Sequence, residues 1–309
     1  MVTKDELFGQ VLEYPDPVAA KRLSALVGIE DIIGQVIDEA VLLLDPEIVR
    51  RWSEKHHGCL LRAADEVTKR TPLLVFTGDV GTGKTELAET FGDAVARKMK
   101  LPVTLYPLSL SARGTGAVGE MTTLLTAAFS EVRQAARSAI DSQGRARRGT
   151  VLLIDEGDAL AQSRDLAQMH HEDRAGVNAL IRGLDQLRSD RLPVLTVLCT
   201  NREEALDPAL TRRAARLFRF ERPSDEQRRV LLGQLLDGCA VSSPELDKLV
   251  AITGTNGSRT HGCTYSDIRQ RLVPEAVLEA VANDVPLSAD MVIARAERLE
   301  PTRPFGAQS

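Results

Sequence analysis

The sequence predicts an α/β fold in two parts, a core on a five-stranded parallel sheet and then a small α-helical lid. Three observations predict it. Short apolar, β-rich runs recur at 73–77, 103–106, 151–154, 194–200 and 217–220, with helical patterns between the first four. Strands that alternate with helices indicate a parallel sheet covered on both faces. The first run passes through Gly78-Asp79-Val80-Gly81-Thr82-Gly83-Lys84-Thr85 into a helical pattern carrying Leu87, Ala88 and Phe91. Beyond Pro223 the strand runs stop and only helical patterns remain.

Taken in order, residues 1–24 read as a short polar arm with a helical start, ending near Pro15 and Pro17. Residues 32–44 space Ile33, Val36, Ile37, Ala40, Val41 and Leu44 as one helical face. The α/β domain is expected over 25–222. Within it Val177, Leu180, Ile181, Leu184 and Leu187 form an apolar stripe on a helix. The lid is expected over 223–309, with helices at 225–236, 245–252, 266–282 and 289–299, Ser224 capping the first, and a disordered tail at 301–309.

The glycine-rich run fits G-x-x-x-x-G-K-[ST]. Backbone N–H groups from Asp79 to Gly83 can wrap a β-phosphate, Lys84 places charge on the β- and γ-phosphates, and the Thr85 hydroxyl can hold Mg²⁺. The strand before and the helix after put those phosphates at a helix N-terminus. The expected cofactors are ATP and Mg²⁺.

Val151-Leu152-Leu153-Ile154 ends in Asp155-Glu156, a buried strand with paired carboxylates at its tip. Asp155 suits Mg²⁺, usually through water, and Glu156 suits polarising the attacking water. The next strand ends at Asn201, whose amide can reach a γ-phosphate and orient water. An arginine-dense turn follows, Thr211-Arg212-Arg213-Ala214-Ala215-Arg216. It reads either as an arginine finger for a neighbouring subunit or as a solvated basic turn.

Composition narrows the class. A 309-residue chain with 43% hydrophobic and 27% charged residues is an ordinary globular protein. Net charge −5, three tyrosines and one tryptophan argue against a nucleic-acid partner. No apolar run approaches the roughly 18 residues of a membrane span, and Met1-Val2-Thr3-Lys4-Asp5-Glu6 is too polar for a secretory leader. Four scattered cysteines without C-x-x-C point to a reducing, cytoplasmic setting. His56-His57-Gly58-Cys59 lacks a second half, and its side chains are expected to be solvated or packed rather than to ligate zinc.

These motifs together resemble the AAA+ ATPases of the main AAA clade. Thr200-Asn201-Arg202 and Leu206-Asp207-Pro208-Ala209-Leu210 resemble its sensor-1 and arginine-finger stretch. Asp155-Glu156-Gly157-Asp158-Ala159-Leu160 resembles the segment at its second motif. Gly262-Cys263-Thr264-Tyr265-Ser266-Asp267-Ile268 resembles its lid helix, with Ser266 in the sensor-2 slot, and Val27-Gly28-Ile29 resembles the segment that cups adenine. The resemblance covers residues 25–300.

The stretch from Val177 to Leu187 is similar to the corresponding helix of the pachytene-checkpoint family, and Arg213 falls where that family has its finger arginine, before Pro223-Ser224. The resemblance implies a homohexamer that remodels a HORMA-domain protein from its closed to its open form. In compact bacterial members it implies a role in anti-phage defence. It also places Ala117 and Val118 in the substrate pore loop, with Ala117 in a slot that otherwise carries an aromatic. The arm of residues 1–24 is too short for an adaptor-binding domain. Two other classes stay open: a DNA-directed AAA+ motor or loader, motivated by Arg145, Arg147 and Arg148, and a nucleotide-gated scaffold that does not thread its partner.

Overall fold

A computed structural model of the chain describes residues 7–110, 120–160, 170–255 and 259–305. They divide into two compact units. The first runs to Ala25 and takes in Asp31–Thr77 and Thr85–Arg219; the second holds Leu26–Glu30, Gly78–Lys84 and the chain from Phe220 onward.

The first unit is built on β1 (Leu12–Tyr14), β2 (Leu73–Gly78), β3 (Val103–Ser109), β4 (Gly149–Asp155), β5 (Val194–Thr200) and β6 (Arg216–Phe220), in the sheet order β1-β3-β4-β5-β2-β6. β3, β4, β5 and β2 pair in parallel, with Ile154 opposite Leu198 and Thr77 opposite Thr200. β5 is buried along its whole length, and β2 and β4 along all but the last residue. Such strands read as continuous apolar runs because helices cover both faces.

All five expected strands are present, and the sheet gains a sixth. β1 pairs antiparallel with β3, Leu12 opposite Leu105 and Tyr14 opposite Val103. Three residues are too few to display a period of two, so the sequence shows only a polar arm there. That arm is bound through three of its described residues. The Tyr14 hydroxyl donates to the Glu89 carbonyl, the Asp16 N–H donates to Asp93 Oδ1 at 2.7 Å, and Arg22 grips Glu86 at 2.7 and 2.8 Å and Glu89 at 2.8 Å. All three acceptor residues lie on the helix Lys84–Met99.

The helices Glu120–Ser138 and His170–Asp190 supply Leu125, Phe129 and Val132, and Leu180, Leu184 and Leu187, to one core with Leu73, Val75, Leu152, Ile154 and Leu198. Gly183 lets these helices meet, since a Cβ there would run into the Phe129 ring. The helices Glu47–His57 and Arg62–Thr68 have no counterpart in the sequence reading. The first buries only Val49 and Ser53 and so lacks an apolar stripe. His56 and His57 pack against the Trp52 ring, with centroids 5.9 and 5.4 Å away.

In the second unit the helices Asp225–Leu235, Ser243–Thr253, Val273–Ala282 and Ala289–Arg298 enclose Leu231, Leu232, Leu249, Ile268, Leu272 and Val292. Ser224 and Gln227 form a capping box at the first helix. The helix expected over 266–282 is divided: Asp267–Leu272 is a π-helical turn, and the α-helix starts only at Val273. Pro274 has no N–H to return to the preceding turn, which widens there instead. The tail expected to be disordered is hydrogen-bonded as far as it is described. Thr302 donates through N and Oγ1 to Asp267 at 3.0 and 2.6 Å, and the Phe305 N–H donates to Asp79 at 3.1 Å.

Candidate nucleotide site

The glycine-rich loop belongs to the second unit. Gly78 and Gly81 hold φ of +141° and +76°, a region that disfavours any Cβ. A side chain at Gly78 would also strike the Phe220 carbonyl, and one at Gly81 would lie 2.7 Å from Thr264 Oγ1. Lys84 is only 6% exposed, and its ammonium donates to the Gly78 and Asp79 carbonyls, both at 2.7 Å. The Thr82 hydroxyl closes the turn on the Asp79 carbonyl at 2.8 Å.

Residues expected around the base and the lid slot gather in the same unit. The Gly28 carbonyl accepts from Gln227 Nε2 at 2.6 Å, and its N–H donates to Glu30 Oε1 at 2.9 Å. Ile29 is buried, and its Cδ1 lies against Gly83. Ser266 reaches the loop through its backbone, N–H to the Gly81 carbonyl at 3.1 Å, while its hydroxyl turns to Gln270 at 2.9 Å.

The first unit carries the groups expected to act on metal and water. The Asp155 carboxylate accepts from the Glu156 N–H at 2.9 Å, and the Thr85 hydroxyl lies beside it. Burial holds the Asp155 carboxyl above its ordinary range, against the pull of the Glu156 N–H and Thr85. Glu156 follows with φ +56° and an exposed side chain. An L-residue in the left-handed region is strained, and such strain clusters at functional positions.

Asp158 is the residue whose role sequence reasoning missed. It is 7% exposed, on the short turn Gly157–Leu160. Its carboxylate accepts from the Thr200 hydroxyl, from the Asn201 N–H at 2.9 Å, from Asn201 Nδ2 at 2.8 Å and from the Arg202 N–H at 3.1 Å. The Asn201 amide is therefore fixed in orientation at the tip of β5. The available signal was the Asp-Glu-Gly-Asp spacing, which puts a second carboxylate one turn beyond the first.

The structure separates the three arginines left open by sequence. Asp207 caps the one-turn helix Pro208–Thr211 with a 2.7 Å bond from the Ala209 N–H. Arg212 Nε donates to the Pro208 carbonyl at 3.3 Å. Arg213 is held by both oxygens of Asp185 at 3.3 Å. Arg216 turns to Gln35 and lies 3.8 Å from Glu39. In the basic loop, Arg145 pairs with Asp141 and Arg148 with Glu13. Ala117 and Val118 lie outside the described residues.

The loop shaped for phosphates in one unit, and the acidic strand tip and oriented asparagine in the other, are each features of nucleotide-binding proteins, and the comparisons agree. Residues 74–222 match the ATPase family associated with various cellular activities (AAA), and the chain belongs to that family. It is an ATP-hydrolysing enzyme. CD-NTase-associated protein 6 of Escherichia coli strain MS 115-1 is 47% identical over 301 residues, covering 97% of this chain and 96% of the relative. Among solved structures, a chain of the E. coli MS115-1 HORMA:CdnC:Trip13 complex matches with a TM-score of 0.88 and 46% identity, over 98% of this chain and 99% of that one. Rhizobiales Trip13 matches with a TM-score of 0.73 and 38% identity, over 96% and 100%. Among the described residues no helix is long and apolar enough to cross a membrane.

Proposed function

We propose that this chain is an ATP-driven remodeller of HORMA-domain proteins that works as a homohexamer in anti-phage signalling. The observation that carries this reading is the near full-length likeness to a chain found in a HORMA:CdnC:Trip13 complex. The site chemistry is consistent with it. Gly81 to Thr85 hold the phosphates. Thr85 and Asp155 present hydroxyl and carboxylate oxygens to one another, a donor pair that suits Mg²⁺. Bound there, Mg²⁺ would neutralise charge on the β- and γ-phosphates. Glu156 polarises water and Asn201 orients it, and Arg213 from a neighbouring subunit stabilises the transition state, with Arg212 the other candidate. Gly28 and Ile29 border the base. Ala117 and Val118 contact the substrate polypeptide.

Glu156→Gln keeps the shape of the side chain and removes its basicity, so turnover should fall by about a hundredfold or more. The same variant, incubated with ATP, should retain its substrate. Recovery of a HORMA-domain protein, released when ATP is omitted, supports the reading. Recovery of nucleic acid, or turnover near the wild-type rate, refutes it.

A further inference from the structure

Asp79 occupies a position that the phosphate-loop motif leaves open, yet its carboxylate is bonded to residues far along the chain. It accepts from Arg222 Nε at 2.8 Å and from the Phe305 N–H at 3.1 Å. Arg222, whose side chain is 15% exposed, places its other nitrogens on the Gly262 carbonyl at 2.7 Å and the Thr302 carbonyl at 2.8 Å. Thr302 donates twice to Asp267, which is 1% exposed and also accepts from the Thr264 N–H at 2.9 Å. Thr264 and Ser266 border Gly81, and the Ser266 N–H donates to the Gly81 carbonyl. The contacts leave the phosphate loop at Asp79 and return to it at Gly81, all within the second unit.

We infer that Arg222 is a positioning residue for nucleotide, which together with residues 301–305 holds the phosphate loop in its binding shape before phosphates arrive. Two physical arguments carry this. A glycine-rich loop has many conformations, and apparent affinity falls in proportion to the fraction already in the competent one. A bare carboxylate in an anion cradle also repels phosphate, and the Arg222 guanidinium cancels that charge. The inference rests on the phosphate-loop assignment and not on the identity of the protein substrate.

The test uses the full chain, equilibrium binding of ADP and steady-state ATP hydrolysis. Arg222→Ala should weaken ADP and raise KM for ATP by about tenfold, the equivalent of one partly buried charge-assisted bond. Its kcat at saturating ATP should stay within about twofold. A chain ending at Glu300 should shift the same way, and it keeps every residue of the lid core should Arg222→Ala misfold. Arg222→Lys, which retains the charge but fewer donors, should recover part of the affinity. A merely structural role would lower kcat through the active fraction and leave KM and ADP affinity untouched, and that result overturns the inference. Wild-type ADP affinity in Lys84→Ala would bring down the phosphate-loop assignment, and the inference with it.

Discussion

Asp158 accepts four donors, and three of them are on Asn201 and Arg202, the residues that leave β5. Removing it leaves the Asn201 amide free to turn and two backbone N–H groups without that acceptor. Displacing a positioned group by about 1 Å costs on the order of a hundredfold in rate. Asp158→Ala should therefore lower kcat by about that factor, with KM for ATP little changed. Steady-state kinetics beside Asn201→Ala checks this: the two single losses should be similar, and the double variant little worse than either. Gly78 makes a different demand. Its φ of +141° and the Phe220 carbonyl leave no room for a methyl group. Gly78→Ala should destabilise the fold by about 2 kcal/mol or more, measured by denaturant unfolding.

At the scale of elements, helix propensity and packing pull in opposite directions at Gly183. Alanine would improve the helix His170–Asp190 by roughly 1 kcal/mol, but its Cβ would enter the Phe129 ring. Overpacking costs typically 1–3 kcal/mol, so Gly183→Ala should lower the melting temperature. The π turn Asp267–Leu272 carries a pH dependence. Burial would raise the Asp267 carboxyl, but hydrogen bonds from Thr302 and Thr264 overcome it and hold the group below its ordinary 3.8; Arg271 also lies 3.0 Å away. A depressed carboxyl stabilises the fold above its unfolded value and loses that contribution as pH falls through the folded value. The gap in melting temperature between wild type and Asp267→Asn should be full at pH 6 and shrink below about pH 4.

The main strands were legible in the sequence because burial on both faces makes them unbroken apolar runs, and the His170–Asp190 stripe because its apolar residues recur every three or four. β1, the helix Glu47–His57 and the π turn were not. One is too short for a period, one too polar for a stripe, and one depends on how the preceding turn adapts to the N–H that Pro274 lacks. The phosphate loop and the acidic strand tip could be read directly, since their chemistry dictates residue types at fixed spacing. The role of Asp158 was marked only by the Asp-Glu-Gly-Asp spacing, and the bonds of residues 301–305 not at all, because a carboxylate that meets backbone N–H groups demands no particular residue type from its partner.

Across the whole molecule, the segment before Ser24 does more than precede the core. It covers the open edge of β3 and bonds the helix Lys84–Met99 through Tyr14, Asp16 and Arg22. An uncovered parallel edge invites pairing with other chains. A chain starting at Ala25 should aggregate on purification, which light scattering would reveal; a monodisperse product with the wild-type melting temperature would show the segment to be dispensable. The bond between Asp79 and Phe305 spans 226 residues of sequence. During synthesis the phosphate loop leaves the ribosome long before the residue that ties it down. Such distant closures come late in folding, after the loop-entropy cost has been met. The growing chain should therefore reach its full affinity for nucleotide only after Phe305 has emerged, and the order of translation would then delay the commitment of an unfinished protomer to ATP.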